Sequence, residues 1–390
     1  MIALIERFCC SDNLSTFDPY DIWKMPLGLS VKKLFNRSRL LGIVPAAALT
    51  LFDTYLNNSI RISYAAQEYP IVRAFAALSL LTLYKTTGNI QYLSFSERHL
   101  QWLSDHPCTG NRGYGWGIGF TNAVSRDIVY DRNTPYTTMT PYALEAFVEH
   151  ARLSGDREFL PIIVGVYHFF EEEIRVMEET DDYLATSYGP LRDRIVTNAV
   201  SYTMFCYALL LQYVSEDKKE AAKKKIRKLY AYIRRNQNKD GSWFYSPQGS
   251  SFIDCFHSCI VLKNLIKTDR LTPLPGCSSV VEVGYAYLKD NLLDKKCYLF
   301  RRFSVKNKPS IVLFDLYDNA EILNLACLFG DWPVATKLSE SIQRHFIKGM
   351  DIYSQIVKPG ILRNKNMLRW AVMPYLNAVS QMMLRDKNDS

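Results

Sequence analysis

Three times in this chain an apolar run with helical spacing stops at a glycine, an Asp or Asn follows at once, and a second, more one-sided run begins. The first runs span residues 71–87, 142–154 and 316–329, and the junctions are Gly88-Asn89, Gly155-Asp156 and Gly330-Asp331. Glycine takes the left-handed conformation that closes a helix, and the Asp or Asn side chain accepts backbone N–H groups at the start of the next. Each junction therefore predicts a tight helical hairpin. Two more pairs keep the pattern without the junction, 196–214 with 218–235 and 255–266 with 280–292. Residues 367–384 supply one further helix and 45–57 another, and these two can pair only if the chain closes on itself.

The first helix of each pair is apolar nearly all round, as in Phe75, Ala76, Leu78, Leu80, Leu81 and Leu83, whereas the second carries a single apolar stripe. All-round hydrophobicity implies an inner layer contacted on several sides, and a stripe implies an outer one. The expectation is an all-α chain, an (α/α)6 toroid with inner and outer helix rings. It forms one domain over residues 1–390, with residues 1–40 as an irregular N-terminal segment. A chain of 390 residues is long for one domain, but closed rings reach this length as single units.

Connections within pairs are short and connections between pairs are long, at about 104–136, 180–195, 236–253, 294–314 and 349–366. Stacking the pairs around a ring gathers all the long loops at one end, together with the N-termini of the inner helices. That end is the expected functional end.

Composition removes several other classes. With 48% hydrophobic and 22% charged residues the chain is neither disordered nor fibrous. The net charge of +8 is concentrated between Lys218 and Arg235, where Ala222, Ile226, Leu229, Tyr230 and Ile233 form one apolar face and the cations occupy the rest. This reads as a solvated outer helix, and no motif indicates a nucleic acid partner. Nine cysteines without paired spacing suit a reducing, cytoplasmic compartment. Residues 1–10 include Glu6 and Arg7 and are too short an apolar stretch for a signal peptide. No run reads as a membrane span, which leaves peripheral association with a membrane open.

The long loops are rich in aromatic residues: Tyr114, Trp116, Tyr130, Tyr136, Tyr188, Trp243 and Tyr245. Flat aromatic faces suit sugar rings, although the same side chains would also plug the end of the ring. The alternating glycines from Gly113 to Gly119 lack the strand and helix of a nucleotide loop, and instead allow close passage of the backbone to a ligand or to the inner helices.

The string Gln237-Asn-Lys-Asp240-Gly241-Ser242-Trp243 resembles the QW motif of terpenoid-cyclase and prenyltransferase toroids, where it ties a helix end to the next hairpin. The chain lacks the Asp-x-Asp-Asp run of a protonating cyclase; Asp181 and Asp182 are its nearest acidic cluster. A wider order resembles bacterial toroids of exopolysaccharide and capsule biosynthesis, related in fold to uronyl epimerases, polysaccharide lyases and unsaturated-uronyl hydrolases. That order runs from Tyr114 to Gly117, through Pro135, Tyr188 and Asn198, to Asp240–Trp243 and Asp254 with His257. The resemblance implies a glycan or lipid-linked oligosaccharide as partner and no cofactor.

Asp254 and His257 lie three apart, hence on one helical face in the first turn of an inner helix. An Asp that orients a His makes it a general acid or base near neutral pH, while a capping Asp beside a His bonded to a loop carbonyl is the alternative. Lyases and C5-epimerases take a proton from the carbon beside a carboxylate, for which Tyr188, His257, Asn198 and Arg369 are candidates. Hydrolysis needs two carboxyl groups across the scissile bond, and Asp127 with Asp254 is the pair to examine. Tyr114, Trp116, Tyr136, Trp243, Tyr245 and Asp318 complete the expected substrate-binding set. Cys255, His257 and Cys259 point to different helical faces, so no metal site is expected. A non-catalytic glycan-binding protein and an isoprenoid-handling toroid remain the alternatives, the latter expected to have a pocket without convergent charges.

Overall fold

The computed structural model describes residues 1–248, 251–306 and 310–388. Its helices in chain order are α1 (Ile2–Cys9), α2 (Asp21–Lys24), α3 (Pro26–Arg37), α4 (Arg39–Leu51), α5 (Pro70–Thr87), α6 (Ile90–Asp105), α7 (Thr140–Ser154) and α8 (Leu160–His168). There follow α9 (Thr197–Leu210), α10 (Glu216–Arg235), α11 (Cys255–Leu271), α12 (Cys277–Leu292), α13 (Leu316–Phe329), α14 (Trp332–Phe346) and α15 (Met373–Asn388).

The odd-numbered helices from α5 to α15 form the inner ring. Each packs on the next, and α15 packs on α5, so the ring closes. The outer helices α6, α8, α10, α12 and α14 each lie against the inner helix that precedes them. All fourteen residues of α9 are buried, whereas α10 buries only six of its twenty, the difference that separates an inner from an outer helix. Its cations are largely spent on neighbours: Lys225 pairs with Glu171, Lys228 with Glu179 and Lys219 with Glu216.

The glycine junctions behave as the sequence predicts. Gly88, Gly155 and Gly330 have φ of 75°, 74° and 85° and cap α5, α7 and α13. Asn89 and Asp331 then accept from Gln91 and Val334 N–H at the starts of α6 and α14. Asp156 serves a turn before α8 instead, accepting from Glu158 N–H.

The sixth outer position departs from expectation. It is filled by α1, which lies against α5 and α15, and residues 45–57 lie outside the ring in α4 and the turn that follows it. Residues 1–40, expected to be irregular, hold α1, α2 and α3. Leu4, Ile5, Phe8 and Cys9 bury one face of α1 despite its length of eight residues. Isolated, so short a helix is unstable; here tertiary packing of its apolar face sustains it. The seam is fixed by His99 on α6, whose Nε2 bonds the Cys9 carbonyl at 2.6 Å and whose Nδ1 faces Arg73 Nη1 at 3.0 Å. A guanidinium only donates, so Nδ1 must accept, and His99 is neutral with its proton on Nε2.

The loops at the other end carry short antiparallel strands. Asp351–Val357 is the central one, pairing with Val312–Asp315 on one side and Ile361–Lys365 on the other. Ile253–Asp254 pairs with Phe303–Val305. Residues 249–250 and 307–309, within the expected loops 236–253 and 294–314, lie outside the described residues.

One expectation about membranes is corrected. Residues 39–56 are long and apolar enough, by length and composition, to cross a bilayer, and only 17% of them are buried.

Two predictions test the closure. Ile5 is fully buried and Leu40 is 85% exposed. Ile5→Ala should destabilise by about 2–5 kcal/mol, and Leu40→Ala by no more than about 0.5, measured by denaturant unfolding. Burial holds the His99 pKa down at about 4, and Arg73 adds to the effect. Because the folded state then binds fewer protons than the unfolded chain, stability present above about pH 6.5 is lost as pH falls toward 4, by up to about 3 kcal/mol. In His99→Gln that part of the slope should vanish.

Candidate functional site

Every inner helix sends residues from its N-terminal end into one cavity of about 600 Å³. Ile71 comes from α5, Met139 from just before α7, Asn198 and Tyr202 from α9, and Phe256, His257 and Ile260 from α11. Tyr317 comes from α13, and Arg369 and Trp370 from the turn that leads into α15. The remaining wall is loop: Tyr20, Phe120, Tyr136, Tyr188, Arg194, Tyr245, Phe252, Asp254 and Arg302. Six helix N-termini around one space bias it toward anions, since each carries a partial positive charge.

His257 is set by the strand pair beneath it. Asp254 pairs with Phe303, and Cys255 N–H donates to the Arg302 carbonyl at 2.8 Å, which fixes the first turn of α11. His257 Nδ1 then lies 2.9 and 2.8 Å from the two Asp254 carboxylate oxygens. A carboxylate only accepts, so Nδ1 carries the proton and Nε2 is the nitrogen available to a substrate. The Asp254 side chain is 2% exposed and that of His257 19%, so the acid lies beneath and the imidazole faces the cavity. The Tyr245 ring stands 4.6 Å from the imidazole, centroid to centroid.

Three guanidinium groups share this cavity. Arg369 is forked onto the buried Asp18, with Nη2 2.7 Å from Oδ1 and Nε bonded to Oδ2. Arg302 Nη1 bonds Asp315 at 3.1 Å and lies over Phe256 and Trp370. Burial alone would lower both arginine pKa values, but Asp18 for Arg369, and Asp318, Asp315 and Asp254 for Arg302, outweigh it and raise them. Arg194 lies over the Tyr188 ring at 4.4 Å and is 3.7 Å from Asp193. That contact is an ion pair from Arg194 Nε to Asp193 Oδ2, whereas the buried Asn198 Oδ1 makes no hydrogen bond among the described residues. An unpaired buried acceptor is costly, so Asn198 is positioned for a donor group on a ligand.

Asp315 organises the floor. It accepts from Tyr317 N–H, Trp370 Nε1, Gln355 Nε2 and Arg302, and Gln355 is brought to it by the register of the central strand. The Trp370 and Tyr317 rings stack at 4.8 Å, giving the cavity a flat apolar wall beside its cations.

Of the residues singled out in the sequence, His257, Asp254, Tyr188, Tyr136, Asn198, Tyr245 and Arg369 line the cavity. The others do not. Trp116 and Trp243 are buried, with their indole N–H groups on the Leu103 and Ile233 carbonyls, so they fasten loops to outer helices. Tyr114 packs on Gly165, where a Cβ would come within 2.1 Å of its ring. Gly113 and Gly117 are pressed against the Phe169 and Thr134 backbones, and between them Trp116 N–H bonds Thr140 Oγ1 at 3.0 Å, so the glycine-rich segment passes close to inner helix α7 as well as to the outer layer. Gln237 bonds the Gly241 and Val280 carbonyls and thereby joins the end of α10 to α12. Asp318 lies under α11, accepting from Phe256 N–H, and burial raises its pKa well above the carboxylate range. Asp127 is 87% exposed on a loop beside Arg126, which leaves Asp254 as the one carboxylate lining the cavity among the described residues. The paired-carboxylate arrangement for hydrolysis is therefore not assembled from Asp127 and Asp254. Cys255 and Cys259 are buried while His257 faces the cavity, so these three do not converge either.

Arg194, Arg302 and Trp370 were not singled out in the sequence. Arg301 and Arg302 lie between the strands Leu299–Phe300 and Phe303–Val305, with side chains 62% and 19% exposed.

No family model and no curated protein matches the chain. Solved structures do share its fold. A sugar epimerase from a ruminal bacterium superposes with a TM-score of 0.62 at 13% identity, covering 81% of this chain and 87% of that one. Cellobiose 2-epimerase from Bacillus thermoamylovorans gives 0.63 at 11%, covering 83% and 88%. A GH76 α-mannanase from Bacteroides thetaiotaomicron gives 0.60 at 12%, covering 95% and 100%. The chain thus has the (α/α)6 toroid fold, and these neighbours are carbohydrate-processing enzymes.

The guanidinium groups of Arg194, Arg302 and Arg369 around one cavity predict a preference for acidic sugars. Titration calorimetry should show uronate oligosaccharides binding more tightly than neutral ones of the same length, and Arg194→Gln should remove at least about tenfold of that difference.

Proposed function

We propose that this protein is a carbohydrate-processing enzyme that moves a proton at a sugar carbon beside a carboxylate, by uronyl epimerisation or elimination. The observation that carries this reading is the His257–Asp254 pair opening into a cavity with Arg194, Arg302 and Arg369. Aromatic walls take the sugar ring, and the cations take its carboxylate.

His257 Nε2 removes the proton from C5. The C–H electrons move into the C5–C6 bond and give an enediolate, whose second negative charge Arg194 stabilises with the six helix N-termini. The imidazolium formed is held by Asp254. For inversion the Tyr188 phenol delivers a proton to the opposite face of C5, and the imidazolium then gives its proton to solvent, which reprotonates the tyrosine. Loss of the C4 oxygen substituent as an alkoxide that takes up a proton gives an unsaturated product instead. Tyr188 and Tyr245 are the phenols placed to supply that proton. Burial raises the Tyr245 pKa, which keeps its proton in place near neutral pH.

An isoprenoid-handling ring would need a pocket free of convergent charge, and this cavity is the opposite. Surface-polysaccharide biosynthesis fits the order of motifs from Tyr114 to His257, and it is the setting we infer for the substrate.

The test is exchange in heavy water. With uronate-containing oligosaccharides, solvent deuterium should enter the sugar at C5 in epimerisation, or an unsaturated product should form in elimination. His257→Ala should lower the rate by about 10²–10⁴-fold while the protein remains folded by circular dichroism. An unchanged rate in His257→Ala would remove the residue from the chemistry, and neither exchange nor unsaturated product with any uronate substrate would favour a non-catalytic glycan-binding role.

A further inference from the structure

Outside the ring, α3 and α4 pack on each other as a helical hairpin, with a π-helical turn, Phe52–Leu56, continuing α4. The two helices are in backbone contact, because a Cβ on Gly42 would come within 2.2 Å of the Phe35 Cα. The hairpin is rooted in the ring at both ends. At its start, Lys24 bonds the Tyr69 hydroxyl at the N-terminus of α5. At its end, Asp53 and Thr54 accept from Arg363 at 2.7 and 2.8 Å.

Its outer face is bare. Leu40, Val44 and Leu51 are 85%, 72% and 51% exposed, and Tyr55 follows on the same stripe at 3–4 residue spacing. Leu41 and Leu56 flank that stripe, and Ile60 and Ile62 extend the apolar surface beyond the helix at 70% and 60% exposure. A continuous apolar face of this kind is a contact surface rather than a water-facing one.

Its charge identifies the contact. Between Asp21 and Asp53 the chain has no Asp or Glu but has Lys24, Lys32, Lys33, Arg37 and Arg39. Lys24 and Lys32 bond within the chain, to Asp21 and Asn122, whereas Lys33, Arg37 and Arg39 are exposed toward the tip. An apolar helical face edged by cations complements an anionic lipid surface, where the helix lies in the interface and cations meet headgroups. The anchoring of both ends prevents the segment from crossing the bilayer. Pro45 lies within α4, and from Arg39 to Leu56 the helical segment is 18 residues, or about 27 Å.

We propose that the α3–α4 hairpin docks this protein in the plane of an anionic membrane surface and sets the cavity mouth at headgroup level. Lys32 Nζ bonds Asn122 at 2.7 Å, and Asn36 Nδ2 bonds the Ala123 carbonyl at 3.2 Å. Asn122 and Ala123 are part of the cavity wall. The hairpin therefore stands at the rim of the site, and a glycan carried on a lipid in that surface is the substrate class it would present. That last clause rests on the function proposed above, and the docking does not.

The test is flotation of the full chain with phosphatidylcholine vesicles that contain or lack phosphatidylglycerol. The wild type should float with the anionic vesicles, less so at high salt. Val44→Asp with Leu51→Asp should cut binding by more than about tenfold without changing the unfolding midpoint, since both positions are solvent-exposed. Replacing Lys33, Arg37 and Arg39 by Gln should remove the preference for anionic lipid. The Asp variants should retain exchange activity on soluble oligosaccharides, which separates loss of docking from loss of chemistry. A wild type that stays with the unbound fraction overturns the proposal. So does a hairpin that instead holds two copies of the chain together, seen as a dimer that the Asp variants dissociate while vesicle binding is absent.

Discussion

The contact between α15 and α5 is the constraint from which the rest follows. It joins residues some three hundred positions apart, so a large loop-closure cost must be met by burial along the seam. Tyr375, Leu376 and Ala378 on one side and Ala74, Ala76 and Ala77 on the other are all at most 1% exposed. Small residues on α5 let the backbones approach, and α1 covers the joint, locked by Cys9, His99 and Arg73. Without closure the six inner N-termini would not face one another, and no cavity would exist between them.

Closure also explains the electrostatics of the site. A ring of helix N-termini is already positive, yet three arginines line it. Two of them are stabilised by carboxylates set below the cavity wall, Asp18 for Arg369 and Asp315 for Arg302. Breaking such a pair leaves an uncompensated buried charge, so those carboxylates hold the fold as much as the site. Arg194 has Asp193 beside its Nε and stands over the Tyr188 ring. Asn198 Oδ1, without a hydrogen-bond partner among the described residues, is the acceptor left for a sugar hydroxyl.

Much of the ring was legible because its signals are local. A Gly-Asn or Gly-Asp step needs only neighbouring residues to be read, and Gly88, Gly155 and Gly330 cap helices as that chemistry requires. Asp254 and His257 were legible for the same reason, being one helical turn apart. Trp116 and Trp243 misled because aromatics among glycines look like sugar platforms, whereas each indole N–H had a helix-end carbonyl to satisfy. The two arginines missed lie on loops whose convergence depends on the whole ring. The outer partner of α15 was misassigned because 45–57 belongs to the longer and more apolar run, and α1 is only eight residues long. Apolar periodicity reports burial against something, and in α4 the ring is not that partner.

The most direct measurement is a crystal structure of the protein with a uronate disaccharide bound. The carboxylate should lie within hydrogen-bonding distance of an Arg194, Arg302 or Arg369 guanidinium, and a sugar carbon bearing hydrogen beside it should stand about 3–3.5 Å from His257 Nε2. A disaccharide bound away from the inner-helix N-termini, or one whose carboxylate turns from the arginines into solvent, would contradict the account.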